Sequence, residues 1–519
     1  MRKNPFHNLK KLSGGAQSIA VGTLALSFFT LISKLLGFLR EIVVAAKFGT
    51  SWRMDAVIIA MEPAETVAGI VAGTIGTMMI PFYLELKREG DTEKLRTYAS
   101  QVLKLSALVM LLFGVILFFF PNAMIHLFAP SFSGEVLEYA ARKLKIFSIL
   151  PVIHGFGAIF TAILRSERNF IQMASSQLIL NVVAIPVVFV LAPVLGETAF
   201  VVAWVGGYGV MHLVLGLVCL PRLEKKQFFS LQPLSTQSKK TLSHAIPLIA
   251  GRSSGLINPI IDKVFASFLP AGRVAALRYS HVLLTMINGL LISSFLTTTF
   301  TEIGETVAEK NFSKLENRLK KTANDMINLV IPITFWVILM AEPLISFLFQ
   351  RGSFDQQSTS LVSASLIGYS IIILTAPIGG LVGNVLVSMK DLRFINTLAV
   401  ASIGANAFFD WILMAPFGHA GIAGSSAAVS VINTTISYLW LKKRHELPFL
   451  QWKPFLGKLA VGVSLFSVLF LLRTFLGDGL LWMGMANGLF FLFFLFLNKK
   501  MIRALSTKFS QFRGRNQGG

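Results

Sequence analysis

Of the eight ionisable side chains in the stretch Ser33–Glu65, SKLLGFLREIVVAAKFGTSWRMDAVIIAMEPAE, six fall inside apolar runs: Lys34, Arg40, Glu41, Asp55, Glu62 and Glu65. In apolar surroundings such groups bind a charged solute or carry ions and protons. A charge near the bilayer centre costs about 2.5–3.5 kcal/mol on insertion scales. Several on two successive apolar runs therefore predict a watery cavity inside a helix bundle and a polar or charged cargo. Snorkelling from a helix end suits Asp55 and Glu41, but Arg40 has apolar neighbours on both sides. Arg252, Arg278 and His281 fall on later apolar runs and could add to a basic lining. A second constellation is acidic. Asn406 and Asp410 stand four apart, on one helix face, and Asp262 lies on an earlier run. Buried carboxylates without an obvious basic partner suit a cation or a proton. The bland alternative pairs Asp262 with Lys263 and leaves Asp410 at a wet helix end. His154, His212 and His281 lie on separate helices without ligand spacing and read as satisfied core or cavity histidines.

The elements that must position these groups are membrane helices. The 519 residues are 54% hydrophobic and only 14% charged, with a mean hydropathy of +0.68; soluble domains carry about 25% charged residues. Apolar runs long enough to span a bilayer fall at 17–46, 54–84, 98–120, 140–164, 169–192, 198–220, 242–268, 274–301, 323–348, 359–387, 394–414, 420–441, 456–474 and 479–498, which predicts an all-α fold of about fourteen spans. Alternate loops are basic, among them the segments with Lys87, Arg88, Lys94 and Arg96, with Arg222, Lys225 and Lys226, and with Lys442, Lys443 and Arg444. The intervening loops hold only Lys47, Arg53, Arg273, Arg351 and Arg473. This positive-inside bias puts both termini in the cytoplasm. It also explains the net charge of +22 as anchoring to anionic lipid rather than nucleic-acid binding. The basic start is followed by an apolar run too long for a signal-peptide core, so it is expected to be retained. Cys219 is the only cysteine, which excludes an intrachain disulfide and a cysteine metal cluster.

A repeat organises the spans. Glu85, Glu89 and Lys94-Leu95 match Glu305, Glu309 and Lys314-Leu315, each 220 residues on. The unit spans six helices, so both copies face the same way about an axis along the membrane normal. The expected domains are an N-lobe at 1–221, a linker at 222–241, a C-lobe at 242–444, and two further helices with a basic tail at 445–519. The mixed-charge segments 85–97 and 302–321 read as short surface helices or solvated linkers.

SKLLGFLREIVVAAKFGTSWRMDA resembles the start of the MurJ/MviN family, flippases for lipid-linked peptidoglycan precursor within the MOP exporter superfamily. LKIFSILPVIHGFGAIFTAILRSERNFIQMASSQLILNVVAI, RGSF and GHAGIAGSSAAVSVIN extend the likeness over nearly the whole chain. The resemblance implies an alternating-access cavity lined by basic side chains, and a tail groove formed with the last two helices. Arg40 and Asp55 match positions important in the family, and Lys34 stands where an arginine is usual. Val67, Ala68 and Val282 stand where the family carries further arginines, a departure from its pattern that bears on the exact cargo; Arg252, Arg278 and His281 could substitute in part. The resemblance also implies a sodium site from Asp262, Asn406 and Asp410, with the Ile422 carbonyl and Ser426. The function expected is outward flipping of an undecaprenyl-pyrophosphate-linked saccharide, with peptidoglycan lipid II the leading cargo. Membrane potential, Na+ or H+ would drive it. No other cofactor and no nucleic acid is expected, and the chain is expected to act as a monomer in lipid. Export of another lipid-linked oligosaccharide, or cation-coupled multidrug export, is the alternative. A membrane-embedded enzyme would need larger extramembrane loops or surface carboxylate clusters than these, and no glycine-rich phosphate loop follows a strand.

Overall fold

The computed structural model describes residues 19–516 apart from 231, 232 and 478. Side chains are described from 28 to 499, apart from 225, 229, 247, 248, 250–256, 291–301 and 308. Among the described residues every regular element is helical, and ten helices are long and apolar enough to cross a membrane. The chain is an all-α, multi-pass membrane protein. In lipid this is the expected solution, because a helix satisfies its own backbone amides and carbonyls.

In order, the elements are α1 (Ile19–Phe48), α2 (Trp52–Glu89), α3 (Thr92–Phe119), the short α4 (Pro121–Phe128), α5 (Gly134–Ser166), α6 (Phe170–Leu195) and α7 (Thr198–Cys219). The short α8 (Lys225–Phe229) lies within the expected linker, followed by α9 (Thr236–Ala266), α10 (Arg273–Ala308), α11 (Phe312–Phe349), α12 (Gln356–Ser388), α13 (Leu392–His445), α14 (Trp452–Leu476) and α15 (Leu480–Asn516). Helix α13 is two spans in sequence terms. It bends at Gly418, whose φ of 57° and ψ of −135° suit glycine alone.

Local sequence sets the ends. Ser51 caps α2, its Oγ accepting from the Met54 amide at 3.2 Å. Pro63 lacks an amide hydrogen, and α2 passes it as a π-helical turn over Pro63–Val67. Gly90, at φ 79°, ends α2, and the Asp91 carboxylate caps α3 through the Lys94 amide at 3.0 Å. The same turn recurs 220 residues on: Lys310 has φ 55°, and Asn311 Oδ1 accepts from the Lys314 amide at 3.0 Å. The segments at 85–97 and 302–321 are not separate surface helices. They are the ends of α2, α3, α10 and α11. Helix-forming Glu and Lys carry the spans out of the apolar region, with ion pairs such as Lys320–Glu316 at 2.6 Å along one helix.

Two compact units divide the contacts: residues 1–276 with 349–358, and residues 277–348 with 359–519. The first packs Ile75, Met79, Tyr83, Tyr98, Ile163 and Leu215 in its core. In the second, α14 and α15 are bound to α11 by Leu469, Trp482 and Phe490 against Ile327, Ile331 and Leu339. Trp482 is fully buried and donates its indole hydrogen to the Leu469 carbonyl at 2.9 Å. Large apolar side chains such as Phe119, Val194, Phe475 and Leu480 point outward, as a surface against lipid tails requires.

Candidate functional site

The charges of α1 and α2 are folded into one network in the first unit. Arg40 donates through Nη2 to Glu41 Oε1 at 2.9 Å and through Nη1 to Asn181 Oδ1, on α6, at 3.0 Å. Its guanidinium carbon lies 4.1 Å from the centroid of the Trp204 ring on α7, within cation–π range. Trp204 Nε1 donates to Glu65 Oε2 at 2.5 Å, and the Tyr208 hydroxyl donates to Glu65 Oε1 at 3.0 Å. Glu65 sits in the π turn that Pro63 imposes. Glu62, also buried, pairs with Lys263 on α9 and accepts from Thr66 at 3.0 Å. Lys263 is therefore engaged with Glu62 rather than reserved for the adjacent Asp262, which is itself buried.

Asp55 has a different task. Its carboxylate accepts from the amides of Gly272 at 2.5 Å and Ala275 at 2.7 Å, at the entry to α10. A negative group at that position satisfies orphan amides and complements the helix dipole. Lys34, by contrast, is exposed. The Arg252 side chain lies outside the described residues.

In the second unit, Arg278 is half-buried, while His281 is exposed and sits edge-on to Tyr369 with ring centroids 5.7 Å apart. The acidic constellation is assembled on α13, whose bend at Gly418 folds its two halves together. Asp410 is fully buried; it accepts from Asn406 Nδ2 at 3.1 Å and, through its other oxygen, from the Ser425 hydroxyl. That hydroxyl also lies 2.9 Å from the Ile422 carbonyl. The hydroxyl on Asp410 is that of Ser425, the neighbour of Ser426, the hydroxyl expected at a cation site. Carboxylate, amide, hydroxyl and carbonyl oxygens together form a hard donor set that fits a small alkali cation.

Two histidines change character. His154 on α5 and His212 on α7 come together, with ring centroids 6.1 Å apart, and Tyr208 contacts both at 4.7 and 5.9 Å. They line a chamber of about 270 Å³ between α2, α5 and α7, with Arg165 and the glycine stripe Gly69, Gly73 and Gly76. Among the described residues, His154 Nε2 and His212 Nδ1 are buried without a hydrogen-bond partner. Gly157 makes the close approach feasible, since a Cβ there would fall 2.1 Å from the His212 ring. The reading by ligand spacing missed this pair because the two residues are far apart in sequence. A usable signal was present: Trp204, Tyr208 and His212 recur every four residues, which puts three polar-tipped rings on one face of α7.

Comparison with known proteins places the chain in a family and a fold. The family model described as "Lipid II flippase MurJ" matches residues 44–494. A relative from Buchnera aphidicola subsp. Acyrthosiphon pisum, named "Probable lipid II flippase MurJ", is 27% identical over 421 residues, covering 79% of this chain and 81% of its own. The "Lipid II flippase MurJ" of Burkholderia cenocepacia is 23% identical over 444 residues, covering 81% and 83%. Among solved structures, "Lipid II flippase MurJ, inward closed conformation" superposes with a TM-score of 0.80 at 22% identity, over 93% of this chain and 99% of that one. A multidrug resistance MATE family transporter of the MOP superfamily, in an inward-facing conformation, gives 0.64 at 15% identity over 82% and 98%. These structural likenesses concern the fold.

Proposed function

Because the chain belongs to the MurJ family of lipid II flippases, we propose that it moves lipid II across the bacterial cytoplasmic membrane by alternating access. The observation that carries this reading is the family match across 44–494 in a chain whose buried charges sit inside a lipid-facing helical shell. The hydrocarbon tail stays in lipid, and the polar head group crosses through the protein interior, where polar side chains replace water. Both termini are cytoplasmic in this reading, following the basic loops. Arg40, with Asn181, Trp204 and Glu65, holds α1, α6, α7 and α2 in one charged network beside the passage. Lys34, Arg278 and His281 are the further cargo contacts we assign, and Asp55 acts by holding the entry to α10. The drive includes a cation, Na+ or H+, at Asp410, Asn406, Ser425 and the Ile422 carbonyl. Asp262 is kept as a candidate further ligand.

The multidrug alternative would rely on free acidic groups in the cavity. Glu62 and Glu65 are already committed, to Lys263 and to Trp204 and Tyr208, which favours the anionic lipid-linked cargo. The test is complementation. In cells depleted of their own lipid II flippase, this chain should restore growth and the appearance of lipid II in the outer leaflet. Drug efflux without lipid II translocation would discard the reading.

A further inference from the structure

We propose that a lipid-facing pocket in the first unit, between α3, α5 and α7, holds one acyl chain of a membrane phospholipid, and that this chain packs the linker segment at 223–230 from behind. The pocket measures about 520 Å³. Helix α7 contributes Gly209, His212, Leu213, Gly216 and Leu217, whose intervals of three and four put them on one helix face. Phe156 and Phe160 of α5 stand opposite, and Leu223 and Phe228 of the linker close one end. Among the lining residues only Ser100, His212 and Glu224 are polar. The Ser100 hydroxyl is already used, accepting from the Glu224 amide at 2.8 Å. An apolar space of this kind does not fill with water, and leaving it empty forfeits the dispersion contacts of its walls.

The occupant follows from where the pocket opens. Leu213, Leu217 and Leu220 on its rim are 62%, 59% and 41% exposed, so it is continuous with the surface that meets lipid tails. Hydrocarbon is present there at the concentration of the bilayer itself. At about 30 Å³ for each water-sized group, the space takes about seventeen methylenes, which is one acyl chain; a long isoprenoid would leave most of its length outside. The linker shows what the chain supports. Successive polar residues at the start of α3 are spent on holding it. The Tyr98 hydroxyl meets Thr241 Oγ1 at 2.7 Å, Gln101 Oε1 accepts from the Ser235 amide and the Ser238 hydroxyl, each at 2.9 Å, and Lys104 donates to the Ser230 carbonyl. Phe228 packs on Phe156 with ring centroids 6.2 Å apart, and its place in the pocket wall gives an acyl chain a second surface to press on. His212 lines both this pocket and the chamber of α2, α5 and α7, so the chain also covers the lipid side of the wall between them. The site lies on the lipid face and is independent of the cargo proposed above.

Photolabelling of the full chain in nanodiscs tests this, with a phosphatidylethanolamine that carries a diazirine on one acyl chain as the probe. Adducts on 153–160 and 213–220 should exceed those on 470–476, where Phe470, Leu471 and Phe475 are at least as open to lipid, about fivefold or more. Gly209→Leu fills the pocket, since a Cβ there meets nothing within 4 Å, and should bring the adducts down to the level of 470–476. Gly206→Leu, on the same helix but outside the pocket, should label as the parent does. Leu217→Trp, which fills from the exposed rim, decides the matter if Gly209→Leu fails to fold. Hydrogen exchange over 223–230 should slow when phospholipid is returned to delipidated parent, and should not respond to lipid in Gly209→Leu. Even labelling of all lipid-facing helices, or labelling indifferent to both filling variants, overturns the proposal and leaves ordinary lipid contact only. Stronger labelling by a photoreactive polyprenyl phosphate than by the phospholipid overturns the choice of occupant. Exchange in the parent that ignores lipid overturns the support of the linker.

Discussion

Arg40 answers three neighbours with one guanidinium: an acid, an amide and an indole face. Glu41 is 1% exposed, so Arg40→Ala takes an ion-pair partner from a buried carboxylate. Breaking a buried pair from one side costs about 3–5 kcal/mol, and that loss should appear in detergent unfolding. Replacing both partners, as Arg40→Met with Glu41→Leu, should recover most of the stability, because an apolar pair removes the desolvation penalty. Lipid II translocation should nonetheless stay lost in the double variant. If it translocates normally, the charges serve folding alone. A pH effect belongs to Asp391, in the turn between α12 and α13. The Trp440 indole, donating to its carboxylate at 2.7 Å, and then His445 at 3.2 Å, hold its pKa below the ordinary carboxylate value. The folded turn therefore binds the proton less readily than the unfolded chain. Its stabilisation is complete above the unfolded value of about 3.9 and disappears as pH falls through the lower folded value. Hydrogen exchange around 389–393 should accelerate on acidification below that range, and Asp391→Asn should remove the acid-dependent part.

Helix ends show how single groups position whole elements. Asp55 bridges α2 to the first turn of α10 through two amides. Asp55→Ala leaves both buried donors unpaired, at about 1–3 kcal/mol each. Asp55→Asn keeps one acceptor oxygen and should lose clearly less. Thermal unfolding orders the three proteins, and equal midpoints would show that the cap contributes nothing. A second junction is built of backbone alone. Gly352, at φ 61°, lies so close to α1 that a Cβ would fall 2.2 Å from the Ala46 carbonyl, and the Ser353 amide donates to that carbonyl at 2.8 Å. Gly352→Ala should therefore impair both folding yield and transport, because the contact has no flexible side chain that can yield. The spans themselves were legible: their apolar runs are long, and lipid admits little else. Their ends were less so. The run beginning near 323 starts as a helix at Phe312, because hydropathy marks the lipid slab whereas helix propensity and ion pairs carry the backbone beyond it.

At the scale of the whole molecule, sequence reading located the charged stretch on α1 and α2 and the Asn406–Asp410 pair, because charges in apolar runs stand out against a composition with few of them. It could not locate His154 with His212, whose meeting depends on how α5 and α7 pack and on the missing side chain at Gly157. It did not single out Ser425, whose hydroxyl reaches Asp410 across the bend at Gly418. The orientation in the membrane rests on loop charge and is open to direct measurement. Cys219 is the only cysteine and is fully buried, so Cys219→Ala gives a background free of thiols. On that background Glu93→Cys and Lys226→Cys place exposed thiols on basic segments, and Asn122→Cys and Ala271→Cys place exposed thiols on alternate loops. Lys and Arg near helix ends resist translocation, so the basic segments should remain cytoplasmic. A membrane-impermeant maleimide added to intact cells should then label the 122 and 271 variants, and reach 93 and 226 only after permeabilisation. The opposite pattern would place the termini outside the cytoplasm.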